Sequence, residues 1–480
     1  MTVAQPSGER AVAVPAGQRV PRLRHGQLGF MDLAGASFAT MAPAYSLYTT
    51  GAGIVAGVAL GSPLVVLFAG VAFLLHCNAS AQFSRKIPSA GSYTAFFGRT
   101  WGGHAGSGFT MMYIIAGIPT CASVLIVPGW WVSVAIQALW GVNTSWWIWY
   151  VVINVTVTVL AVVGVKISTR VAVTLFGIEM AILFAAAGVA MALHPGAISG
   201  TGFAFSQIAH GFTGIAISFP LAFYMFLGAS NNVPLAEEAD NPRKLLPLAI
   251  YGTTVIAILI YAFLTWATGI GFNWNVHAYS SAAFPLVDAV QSWFGTWRFL
   301  LYFAGFTSTI ALLITGRNGG GRIWFSTARE DMLPGKKWLT RVHPRWHTPW
   351  VAIVASTAAS FIVGAVVGGI WGPVDGFDWT ASLGTLELIL VFIAINISLS
   401  VFFWREHRPE FSWVYHGVVP VIGSLALLIP VYSLVKPGAP LPYWAFPYVS
   451  AGFIAIGVGY GIYSGLTHKD PKPGSVLADD

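Results

Sequence analysis

Long apolar runs, almost free of charge, recur from one end of this 480-residue chain to the other. Only 9% of its residues are Asp, Glu, Lys or Arg, where an ordinary soluble domain carries about a quarter. So few charges cannot coat a soluble globule. Disorder is excluded for the opposite reason, because disordered chains are rich in charge and poor in apolar residues, and this one is 56% hydrophobic. Twelve helical crossings of about 20 residues each would use roughly 240 residues and leave the rest for loops and tails. A membrane barrel needs strands of alternating polarity, whereas these runs are continuous. The expectation is an all-α integral membrane protein in the lipid bilayer.

The apolar segments run over 29–60, 62–82, 104–138, 145–165, 171–193 and 212–236, then 247–270, 297–317, 349–370, 379–404, 415–435 and 443–465. Polar tails take 1–28 and 466–480. With the amino terminus inside, 22 of the 24 Lys and Arg fall on the cytoplasmic side, including loop residues Arg317, Arg322 and Arg329, and only Arg298 and Lys436 fall outside. Cytoplasmic loops carry such an excess, so both termini are expected in the cytoplasm. The net charge of +7 then needs no nucleic-acid partner. Trp130–Trp131 and Trp146–Trp147 fall at expected outer boundaries, as interfacial anchors do. Cys77 and Cys121 read as small buried hydrophobes, with no disulfide framework, metal or cofactor implied.

Two spans are interrupted. The first holds Thr40-Met-Ala-Pro-Ala-Tyr-Ser46 at mid-membrane, and Pro43 lacks an N–H and clashes with the preceding turn. The sixth runs from Phe219-Pro220 through Gly228-Ala-Ser230 to Pro234. Backbone freed from helix bonding is tolerated in lipid only where it lines a cavity or is buried in protein. A matched pair of such breaks points to a transporter binding site. Freed helix N-termini attract a carboxylate and freed carbonyls attract an ammonium or cation, so an amino acid zwitterion suits the arrangement.

Three sequence blocks carry a family resemblance. Phe83-Ser-Arg-Lys-Ile-Pro-Ser-Ala-Gly-Ser-Tyr93 resembles the P-x-x-G-G-x-Y segment after the second helix of amino acid–polyamine–organocation permeases. Phe226-Leu-Gly-Ala-Ser230 followed by Ala236-Glu-Glu-Ala-Asp-Asn-Pro-Arg243 is similar to their sixth-helix signature, and Asn318–Arg322 with Ala328–Pro334 to their loop after helix eight. The resemblance covers residues 29–465 and implies twelve transmembrane helices. Residues 29–193 and 212–404 would form two inverted five-helix repeats, with discontinuous helices 1 and 6, and 415–465 two appended helices. It also implies an inner-membrane carrier of amino acids, polyamines or related amines working by alternating access. Coupling to a proton is favoured over sodium.

By the same resemblance, Met41, Ala44, Tyr45 and Ser46 fall where relatives hold the substrate carboxylate, although Tyr45 departs from their glycine-rich version. Tyr224 takes the place of an aromatic gate four residues before Gly228, or packs as an ordinary ring. Ser230 stands where many relatives have Glu, which weakens the case for a dicationic substrate. Thr120 and Cys121 would wall the pocket.

Acids inside the membrane are costly and default to function. Glu179, mid-way along the fifth span, takes the position where some proton-coupled relatives carry a lysine. It either titrates or holds a cation during transport, or serves as a hydrogen-bonded core carboxyl. Thr307, Ser308 and Thr309 offer it hydroxyls, or back-bond to their own helix. Glu387 suits a gate or outer vestibule, or a local pairing. Asp32 reads as a charge on a helix N-terminus, Gly53, Gly57 and Gly61 as a close-packing face, and Glu237, Glu238 and Arg243 as a solvated network. No H-E-x-x-H and no G-x-x-x-x-G-K-[ST] supports an enzyme, and His76 reads as a packed ring. An exchanger is the nearest alternative; a channel and a non-transporting sensor are more distant ones.

Overall fold

The computed structural model describes residues 26, 28–282, 284–436 and 441–467, with backbone alone for 165–169 and 172. Arg10, Arg19, Arg22, Arg24, Lys469 and Lys472 of the tails and the Lys166 side chain lie outside the described residues. Among those described there are helices and turns but no strand, and one isolated bridge joins Leu28 to Ala239. The order begins α1 (Phe30–Met41), α2 (Pro43–Val58), α3 (Ser62–Lys86), α4 (Tyr93–Trp140), α5 (Trp146–Val163) and α6 (Val165–Leu193). It continues with α7 (Gly211–Tyr224), α8 (Pro242–Gly271), α9 (Val276–Ser280), α10 (Pro285–Phe294) and α11 (Phe299–Arg329). The last are α12 (Lys336–Leu339), α13 (Trp350–Trp371), α14 (Pro373–Glu406), α15 (Val419–Val435) and α16 (Phe446–Thr467). Ten stretches among the described residues are long and apolar enough to cross a membrane. The first runs 57 residues from Phe30 to Lys86 through α1, α2 and α3, and α7 is a shorter apolar helix.

The first break falls where Pro43 demands it. Ala42 sits at φ 46°, ψ 75°, a left-handed conformation between α1 and α2. The Met41 carbonyl that this frees accepts the Ser46 hydroxyl at 2.8 Å and the Tyr261 hydroxyl at 2.7 Å. In an apolar surrounding such pairing is obligatory. The second break begins at the end of α7. Turns follow Tyr224, with Gly228 at φ +111°, and a 3-10 segment spans Val233–Glu238. The inner part of the sixth span is thus built of turns and a 3-10 segment and not of a second α-helix. Gly228 abuts Thr40, and a Cβ there would lie 2.6 Å from Thr40 Cγ2 and 3.0 Å from its carbonyl carbon. The two breaks therefore touch backbone to backbone.

Packing places these breaks centrally. Helix α4 runs along α14, α3 along α8, α11 along α6, and α2 against α7, while α15 and α16 flank α14 and α4. Gly53 and Gly57 face Leu221 and Ser218 with no room for a Cβ, so the glycine face of α2 serves close packing as expected. Asp32 likewise accepts the Gly29 amide at 3.0 Å at the start of α1.

Other expectations need correcting. Helix α11 continues to Arg329, and Arg317, Arg322 and Arg329 are buried in it and are not loop residues. Charge stopped the apolar run in sequence, but two of these arginines meet acids in space. Arg322 pairs with Glu238, and Arg329 with Glu237 at 2.6 Å. Those glutamates are therefore locked into buried or half-buried pairs, while Arg243 forms no ion pair among the described residues. Trp131 is no interfacial anchor: it is buried, stacks on Tyr48 and donates to the Tyr302 carbonyl at 2.9 Å. Gly102, at φ 81°, splits α4, so the limb from Tyr93 precedes the third apolar span at an angle.

Candidate functional site

A cavity of about 230 Å³ opens where the two breaks meet α4, α11, α13 and α14. Met41, Tyr45, Ser46, Thr120, Cys121, Tyr224, Gly228 and Ser230 line it together. These are eight of the nine residues expected to contact substrate. Ala44 is the exception, since it faces Glu179.

Pro43 starts α2, so the amides of its first turn have no helical carbonyl to bond. The Ala44 amide donates to Glu179 Oε1 at 2.6 Å, and the Tyr45 amide to Ser308 Oγ at 3.1 Å. Glu179 is fully buried, with the Ser308 hydroxyl beside it and Oε2 free of hydrogen-bond partners among the described residues. A carboxyl group from α6 therefore occupies the anion site that a broken helix creates. Thr307 and Thr309 do not join it; both hydroxyls return to carbonyls of their own helix, Ala304 at 3.0 Å and Gly305 at 2.7 Å.

One end of the cavity is closed by rings. The Tyr45 and Tyr224 hydroxyls meet at 3.0 Å, and Ser123 stands 3.4 Å from Tyr224. Phe377 presents an edge to both rings, at centroid distances of 6.2 Å and 6.3 Å. A turn further along α2, Tyr48 stacks on Trp131, which meets Phe284 edge-on at 4.4 Å. At the other end the cavity reaches Asn231, Gly320 and Trp324. Glu387 is buried in α14 and is not among the residues that line the cavity.

A model of the amino acid permease family matches residues 36–455. The chain belongs to that family. An uncharacterized transporter of Mycobacterium tuberculosis is 26% identical over 454 residues, covering 91% of this chain and 88% of the relative. The methylthioribose transporter of Bacillus subtilis is 25% identical over 417 residues, 80% of this chain and 83% of the relative. A branched-chain amino acid permease of the same organism is 27% identical over 231 residues, 48% and 46% of the two chains. Family and apolar helices together make this a multi-pass membrane protein of amino acid transport.

Within the permease, several site features escaped the sequence. Tyr93 lines the cavity, and its hydroxyl joins Ser230 at 3.1 Å, Ser80 at 3.0 Å and His76 Nε2 at 3.1 Å. His76 is packed, as expected, and stacks on Phe392 at 4.0 Å, but it also reaches the cavity wall through that tyrosine. Cys121 is exposed to the cavity, as its place in the pocket wall requires, whereas Cys77 is the small buried hydrophobe that both cysteines read as from composition. Arg317 lines the cavity as well. Its signal was present: Leu313, Gly316, Arg317, Gly320 and Trp324 all line the cavity at helical spacing.

Proposed function

We propose that the permease is a secondary active carrier of amino acids or related amines, coupled to protons and working by alternating access. The observation that carries this reading is the bond from Glu179 to the Ala44 amide, at the broken helix beside the cavity. With Glu179 ionised, its charge caps α2. Protonation replaces a charge-assisted hydrogen bond with a neutral one about half as strong, which frees the first turn of α2 to move. The proton site is thereby linked to the backbone that carries Tyr45 and Ser46.

We read the first apolar stretch as two crossings and α7 with the turns after it as one, giving twelve in all. The packing supports two inverted repeats of five. Contact of α4 with α14 has its counterpart in α11 with α6, and contact of α1 with α8 in α7 with α3. Exchanging the first five crossings for the second five maps these pairs onto one another. Exposed ion pairs Lys86–Glu410, Arg99–Glu406 and Lys336–Asp331 join loops that this topology puts on one side. By the positive-inside rule that side is the cytoplasm, so the Tyr45–Tyr224 closure faces outward and the cavity extends inward. Met41, Thr120, Cys121, Gly228 and Ser230 would contact solute. A closed outer end favours a carrier over a continuous pore.

The test is uptake into proteoliposomes of labelled amino acids, amines, and the branched-chain amino acids and methylthioribose suggested by relatives' names. Proton and sodium gradients are imposed separately. Saturable, proton-driven accumulation is expected; exchange without a gradient would favour an exchanger, single-channel conductance a channel, and binding without flux a sensor.

A further inference from the structure

Arg317 is the one charged side chain among the described residues lining the cavity. It is 6% exposed and has no carboxylate partner among the described residues. Its neighbours are neutral. Nη2 donates to Asn154 Oδ1 at 2.6 Å, Nε to Thr158 Oγ1 at 3.1 Å, and Nη1 to the Leu313 carbonyl at 3.2 Å. A guanidinium has five N–H donors, so these bonds fix its plane and leave donors over. They also leave its positive charge without a counter-ion among the described residues. The other arginines buried in α11 are paired with glutamates. An uncompensated cation is costly at such a site, and intramembrane charges of this kind mark substrate pathways.

A second observation points the same way. The anion site at the start of α2 is taken by the protein itself, through Glu179 and Ser308. A solute carboxylate entering this cavity finds those amides already bonded. Among the described residues, Arg317 is the remaining positively charged side chain on the wall.

We propose that Arg317 receives the carboxylate of the transported solute, so that the cavity selects carboxylate-bearing solutes and rejects amines that lack one. Asn154 and Thr158 act as positioning residues that hold the guanidinium plane. A bidentate carboxylate would supply both the missing charge and acceptors for the remaining N–H groups. A cationic amine would instead meet a fixed like charge, with Ser230 offering no acid to offset it. This assignment of substrate class rests on the carrier reading.

The test measures thermal stability of the purified full-length protein with each proteinogenic amino acid, its carboxamide and its decarboxylated amine. Wild type, R317Q and R317K are compared. At least one amino acid should raise Tm while its carboxamide and amine do not. R317Q should lose that response, with affinity falling on the order of ten- to hundredfold, and R317K should keep part of it. If R317Q does not fold, the acid–carboxamide comparison on wild type and the R317K arm carry the test. An amine or carboxamide that stabilises as well as its acid overturns the proposal, as does a wild-type response in R317Q or no response to any amino acid. Uptake is measured on the same protein. Binding without flux would sink the carrier and leave Arg317 assigned; flux with an unchanged KM in R317Q would do the reverse.

Discussion

Glu179 on α6 accepts the Ala44 amide on α2 at 2.6 Å, across 135 positions of sequence. Glutamine keeps an acceptor oxygen there and removes the titration. E179Q should therefore fold and bind solute but lose proton-driven accumulation and its pH dependence. E179A leaves the amide unpaired and should also cost ~1–3 kcal/mol of stability. Uptake against external pH, with Tm of each variant, checks both; unchanged pH dependence in E179Q would end the coupling proposal.

Cys121 is exposed to the cavity and Cys77 is buried. A small membrane-impermeant thiol reagent should modify Cys121 from the cytoplasmic side and spare Cys77. Removing the hydroxyl contact between Tyr45 and Tyr224 in Y224F should raise labelling from the outer side. Mass spectrometry of inside-out and right-side-out vesicles, with C121S as control, reads the outcome.

Gly228 has a positive φ and abuts the Thr40 backbone. G228A combines backbone strain with overpacking, each about 1–3 kcal/mol. Uptake should fall sharply and Tm should drop, whereas G252A, at an open position on α8, should change neither.

Arg322 is fully buried against Glu238. R322M should destabilise by about 3–5 kcal/mol because it strands a buried carboxylate. Removing both charges in R322M/E238L should recover most of that loss. A double-mutant cycle in thermal or denaturant unfolding measures the coupling; equal loss in single and double variants would mean packing alone matters.

The hydrogen bond from Lys86 holds Glu410 below the usual carboxylate range. Its folded pKa lies below its unfolded one, so the pair's contribution is present above the unfolded value and fades as pH falls through the folded value. The Tm difference between wild type and K86M should therefore shrink on acidification, and also with added salt, because both partners are solvated.

The sequence alone determined the solvent and the break points. Scarcity of charge required lipid, Pro43 required α1 to stop, and Pro220, Gly228 and Pro234 marked the break in the sixth span. These are local facts of hydropathy and backbone sterics, so they are legible residue by residue. The tertiary structure decided how each charge is neutralised. In sequence Arg317, Arg322 and Glu238 all read as solvated, because one dimension cannot show an opposite charge folded onto a neighbour. In space two of them cancel, and Arg317 is left facing the cavity with its charge uncompensated among the described residues. Likewise Glu179 was visible as an acid in lipid, but only packing of α6 on α1 and α2 put it on the Ala44 amide, where it takes the place expected for a solute.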